Sequence, residues 1–172
     1  MSEQATSREN FEAWFGVPLR RLMRDPSSGL AVIMVAFPLL ERYLRQRAKS
    51  EPNKPPFNKE LLGALPELGN LRNANLFWSI YSHGLLHHVA FSRGTYLLSH
   101  DKPIVEVRKD GAVWLNPNLF AKRVLKVIRD DFSTFDRGIA LPRAIPVAAP
   151  VSRGVAYLPY VGTGTPTGRS GQ

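Results

Sequence analysis

Phe77-Trp78-Ser79-Ile80-Tyr81-Ser82-His83-Gly84-Leu85-Leu86-His87-His88 holds three of the chain's four histidines within six residues. Phe77, Trp78, Tyr81, Leu85, His88 and Val89 recur at the spacing of one broad helix face, and Ser79, His83 and His87 fall on the other side. The pattern predicts an amphipathic helix over 72–90 whose apolar face meets a core. His83 and His87 are four apart, hence neighbours on the helix surface. Imidazole titrates nearest neutrality, with an ordinary pKa of about 6.5, so an outward pair is a candidate acid–base site. The alternative is a polar helix edge, with His88 as a hydrogen-bonded core histidine.

Working outward, the same helical period recurs. Residues 8–24 read as a helix, with Ser7 as cap, Phe11, Trp14, Phe15, Leu19, Leu22 and Met23 in register, and a bend at Pro18. Asp25-Pro26-Ser27-Ser28-Gly29 is a turn. Residues 30–48 follow as a long helix, apolar nearly all round at first, kinked at Pro38 and basic at its end through Arg42, Arg45, Arg47 and Lys49. That basic end is a solvated helix terminus or a phosphate-facing patch. A loop at 50–56 precedes a short helix over 58–68, with a possible break at Pro66 and a stop at Gly69-Asn70. After the histidine helix the period changes. Tyr96-Leu97-Leu98 and Ile104-Val105-Glu106-Val107 read as strands, and Asp110-Gly111 turns the chain into Ala112-Val113-Trp114-Leu115. Asn116-Pro117 then opens a last helix through about 136. Trp14, Trp78 and Trp114 are expected to pack in the core or on the hairpin.

The expected fold is therefore mainly α: an antiparallel helical bundle over 1–136 with a small β-hairpin at about 95–115. Residues 137–172 carry five prolines, six glycines and no acid. Their aliphatic runs Ile145–Val151 and Val155–Val161 predict an extended arm lying on the body or on a neighbour, with a disordered end from about Gly162.

Composition bounds the chemistry. The 172 residues are 44% hydrophobic and 22% charged, as in a globular domain. The absence of cysteine excludes disulfides, thiolate catalysis and cysteine-ligated zinc. Met1-Ser2-Glu3-Gln4 does not begin an export signal, and the apolar run Leu30–Leu40 is shorter than the about 20 residues that cross a bilayer. A cytoplasmic protein with no membrane partner is expected. The net charge of +9 favours anionic partners. Four of the surplus charges fall in the arm, at Arg137, Arg143, Arg153 and Arg169; residues 1–136 hold 19 basic against 14 acidic side chains.

His83-x-x-x-His87 also suits a zinc or nickel pair. A closed site needs further ligands, and only His100, Asp101 and Glu106 lie near in sequence. The zinc-protease helix needs glutamate where Gly84 stands. No metal or other cofactor is expected. A histidine beside a cation can instead cleave a phosphodiester, one group moving the proton and the other stabilising charge. Arg72, Arg93 and Lys102 are the candidate cations.

The succession of helix, apolar helix, helix, Tyr81-Ser82-His83-Gly84-Leu85-Leu86-His87, hairpin and Asn116-Pro117-Asn118-Leu119-Phe120 resembles the HEPN superfamily (higher eukaryotes and prokaryotes nucleotide-binding), and within it a group of small bacterial proteins. The resemblance spans about 28–136. It implies an antiparallel helical bundle, a dimer formed through the 72–90 helix or the arm, and metal-independent ribonuclease chemistry. The family motif is arginine, a polar residue, three residues, then histidine. Laid on this chain, His87 is the motif histidine, His83 the polar position, and Ser82 stands at the arginine. Serine donates a hydrogen bond but brings no positive charge, and losing such a group typically costs on the order of a hundredfold in rate. The resemblance thus implies a catalytically impaired module that binds RNA, a nucleotide or a protein partner. The alternatives are a metal-independent RNA endonuclease of toxin or defence type using His87, and a structural assembly protein.

Overall fold

The computed structural model describes residues 3–48, 58–81, 95–97 and 103–138. It is mainly helical, with a small antiparallel strand pair before the last helices. The central element is α3 (Gly29–Ala48). Asp25 starts it: its carboxylate accepts from the Ser27 amide at 2.9 Å and from the hydroxyls of Ser27 and Ser28 at 2.7 and 3.1 Å. Pro26, with its fixed φ, opens the 3-10 turn Pro26–Ser28 that leads in. Val32, Ile33, Ala36, Phe37, Leu39, Leu40, Tyr43 and Leu44 form the buried face of α3. The helix is unbroken at Pro38, which lies on its exposed side. With the turn before it, the 23-residue stretch Pro26–Ala48 is long and apolar enough to cross a bilayer, more than its 11-residue apolar run suggests. Its buried face packs chiefly on the last long helix, as in the core helix of a bundle.

The expected helix at 8–24 is three pieces: α1 (Glu3–Phe11), a π turn (Glu12–Gly16) and α2 (Val17–Leu22). Pro18 explains the break. In a regular helix its ring would press on the Trp14 carbonyl and its missing N–H would leave that carbonyl bare. The wider π turn, closed by Val17 N–H to Glu12 O, makes the room. It also turns Trp14 outward to 47% exposure, so this tryptophan is not a core residue.

α4 (Asn58–Ala64) gives way to a 3-10 turn (Pro66–Leu68), ended by Gly69 at φ +75°. Asn70 caps α5 (Leu71–Trp78) by accepting from the Asn73 amide at 2.9 Å. After the strands, Asn116 caps α6 (Pro117–Asp130) by accepting from the Leu119 amide at 3.0 Å. A break at Asp131 then yields α7 (Phe132–Asp136), where one helix was expected. The break swings Phe132 and Phe135 onto Phe11, with ring centroids 5.6 and 5.1 Å away.

The hairpin is present, with β2 (Val105–Val107) antiparallel to β3 (Val113–Leu115) and Gly111 at φ +82° in the turn. A third strand, β1 (Thr95–Leu97), pairs parallel to β3, giving the order β1-β3-β2. The central place of β3 suits its sequence, since Val113 and Leu115 are fully buried. Trp114 lies between them, half-buried, with the Arg108 guanidinium 4.6 Å above its ring.

Phe37 joins the helices. Its ring lies 4.9 Å from Trp78, 6.1 Å from Phe77, 6.2 Å from Tyr81 and 6.2 Å from Phe120, so one aromatic cluster ties α3, α5 and α6 together. Phe37→Ala should cost about 3–5 kcal/mol, the usual range for emptying an aromatic core position; the check is a urea denaturation curve.

A charged clasp ties the N-terminal helices to α6. Arg129 donates to both oxygens of Glu12 at 2.6 and 2.9 Å, and Arg20 adds a bond at 3.0 Å. Gly16 makes this possible, because a Cβ there would sit 2.2 Å from Glu12 Oε2. Arg129 above all holds the Glu12 carboxyl below its ordinary value of 4.5, against the opposing effect of burial. The folded state therefore prefers ionised Glu12. Its contribution is complete above the unfolded value and is lost as pH falls through the lowered folded one. Stability measured from pH 7 to pH 3 should decline less steeply at the acid end in Glu12→Gln. Gly16→Ala should lower the denaturation midpoint at neutral pH by displacing the carboxylate.

Candidate functional site

The expected site follows, in sequence, the described stretch that contains α5. Within the described residues its two faces match the sequence reading: Phe77 and Tyr81 are fully buried, and Ser79 is exposed, its hydroxyl donating to the Leu76 carbonyl at 2.9 Å. Trp78 is half-buried against Phe37. Burial pushes the Tyr81 phenol far above its ordinary value, so it stays neutral across the physiological range.

The backbone departs from the expectation at this point. From Ser79 to Tyr81 the helix is a π turn, not α. A π turn holds more residues per turn, so a wheel drawn at 100° per residue from Phe77 does not carry across it. The facing of later positions cannot be counted from Phe77 by the α period. Ser82, His83, His87, His88, Arg93, His100 and Lys102 lie outside the described residues, as do Lys49, the tip of the expected strand at Leu98 and the arm beyond Gly138.

Of the candidate cations, Arg72 is described. It lies in the first turn of α5, exposed, with no ion pair among the described residues. Ten residues separate it from Ser82, about 15 Å if the rise stays helical.

At the basic end of α3 the described arginines make bonds within the protein, although Arg47 remains exposed. Arg42 donates to the Arg137 carbonyl at 2.9 Å and lies 5.6 Å from the Phe135 ring centroid. Burial lowers the pKa of its guanidinium, with Asp136 acting the other way. Arg45 grips Glu41 at 2.6 and 2.9 Å. Arg47 donates to the Tyr43 hydroxyl at 2.7 Å and to Asp131 at 3.3 Å. The acidic partners Glu41 and Asp131 neutralise much of the field that would attract a phosphate.

Two hollows were not read from the sequence. One, of about 230 Å³, lies beside Tyr43, Arg47, Glu60 and Asp131. With Asp130 also lining it, its balance is acidic, which disfavours phosphate. The other is a groove of about 380 Å³ between the end of α2, the start of α3, β1 and the start of α6. Met23, Leu30, Leu97 and Pro117 give it an apolar lining. Neither could be found by motif, because each is assembled from segments far apart in the chain. Among the described residues no three histidine, aspartate or glutamate side chains converge as metal ligands. No protein-family model, curated protein or solved structure matches this chain.

Proposed function

We propose that the chain is a HEPN-like helical module that binds RNA or a nucleotide through the surface carried by residues 82–93, and that Ser82 leaves it without robust ribonuclease activity. The observation that carries this reading is the anchoring of α5. Phe77 and Tyr81 seat the residues that lead up to the motif in the aromatic core while Ser79 faces out. The bundle is closed by an Asn116-Pro117 helix, the order that the resemblance implies. The net charge of +9 suits a polyanionic partner. Arg72, exposed and without an ion pair among the described residues, is a cation in the first turn of α5.

In this reading His87 and His83 supply imidazole groups for proton transfer, and Arg72, Arg93 and Lys102 contact phosphate. A homodimer would bring a second copy of this surface near the first. The missing element is a positive charge at position 82 to stabilise the developing phosphorane, which serine cannot supply. A second reading, a structural assembly protein, draws on the arginines of α3, whose bonds within the protein leave less basic surface for nucleic acid.

The test uses single-stranded RNA in excess EDTA. The unaltered protein should bind RNA with an affinity that falls steeply as salt rises, and should not cleave it. Ser82→Arg should raise cleavage by about a hundredfold over background, and adding His87→Ala should remove the gain. Cleavage by the unaltered protein that is lost in His87→Ala would instead establish the endonuclease. Absence of RNA and nucleotide binding at low salt would leave the assembly reading.

A further inference from the structure

The long core helix wears an apolar stripe on its outer side as well as its inner one. Leu30 and Met34 are 36% and 38% exposed, and Pro38, one further step of four along, is exposed too. Residues four apart form a continuous row on a helix. The row runs from the 380 Å³ groove, where Leu97 is also 37% exposed, to Arg42. A contiguous apolar row of this kind is a candidate surface for an apolar segment to cover.

The point at which the chain leaves the bundle supplies the occupant. Arg42 holds the Arg137 carbonyl at 2.9 Å, so the polypeptide departs at the far end of this row. From Arg42 back to Leu30 is about 18 Å along the helix axis. The eight steps from Arg137 to Ile145 reach roughly 26 Å when extended. The segment after Gly138 has the matching chemistry: Ile139-Ala140-Leu141-Pro142-Arg143-Ala144-Ile145-Pro146-Val147-Ala148-Ala149-Pro150-Val151 has one charge in thirteen residues and a proline at every fourth position from 142. Such spacing disfavours a helix and favours an extended strand of chain with apolar side chains to place.

We infer that residues 139–151 of the same chain run back along the outer row of α3, covering Pro38 and Met34, and seat Ile145 and Val147 in the groove beside Leu30 and Leu97. The segment then acts as an extra layer on the bundle. It shields an apolar face that would otherwise be open to a second copy or to a lipid surface. This inference is independent of the histidine site.

The chain contains no cysteine, so one can be placed at will. Met34→Cys in the full-length protein, at low micromolar concentration, should react with a small polar thiol reagent about tenfold more slowly than Met34→Cys carrying Ile145→Asp and Val147→Asp, as expected when a local contact must open before labelling. Leu30→Cys with Val147→Cys and a short bismaleimide should give a cross-linked monomer. Equal labelling rates in the two Met34→Cys proteins would overturn the inference. So would a cross-linked dimer, which assigns the groove to another copy, or protection of Met34→Cys that appears only with phosphatidylglycerol vesicles.

Discussion

The ring of Phe37 is the point on which the architecture turns. It sits mid-way along α3 and touches aromatic side chains of α5 and α6 at once. Helices this short are marginal alone in water, and their stability comes from burying an apolar face. α5 has eight residues before its π turn, and it persists because Phe77, Trp78 and Tyr81 pack on that ring. The candidate residues therefore follow, in sequence, a helix whose own order depends on the core. A second aromatic group, Phe11 with Phe15, Phe132 and Phe135, closes the other end of the bundle.

Much of the described positive charge is engaged inside the protein. Arg129 and Arg20 bracket Glu12, Arg123 reaches Glu67 and the Ala64 carbonyl, and Arg42, Arg45 and Arg47 each find partners within reach of α3. Exposed pairs of this kind contribute little each. The half-buried, two-toothed bond between Arg129 and Glu12 is different, because its geometry is fixed at both ends and joins segments 117 residues apart. The net charge of the sequence therefore overstates the basic surface that the bundle offers to a polyanion.

The π turns show how local chemistry reshapes a periodic reading. The first is traceable to Pro18, since a proline that cannot donate must be accommodated somewhere in the preceding turn. The second, at Ser79–Tyr81, has no proline to announce it. It follows Trp78, which lies against Phe37, and it ends with Tyr81 fully buried. Widening of this sort is common at functional sites. Here it falls directly before the histidine-rich stretch, where a wheel drawn from Phe77 loses its register.

By itself, the amino-acid sequence determined the mainly helical class, the inward faces of Phe77 and Tyr81, the Asp110-Gly111 turn and the Asn116 cap. Each of these follows from the period of apolar residues or from the conformational needs of one or two side chains. Only the tertiary structure decided that Trp14 faces solvent, that β1 lies parallel against β3, that the last helix breaks at Asp131, and that the α3 arginines are bound at home. β1 meets β3 across 18 residues of chain, and Arg42 and Arg47 reach Arg137 and Asp131 across 95 and 84, so no local period carries these pairings. The same holds for the apolar row Leu30, Met34 and Pro38. In sequence it is indistinguishable from the buried side of α3, and only packing tells which side of an all-round apolar helix is left bare.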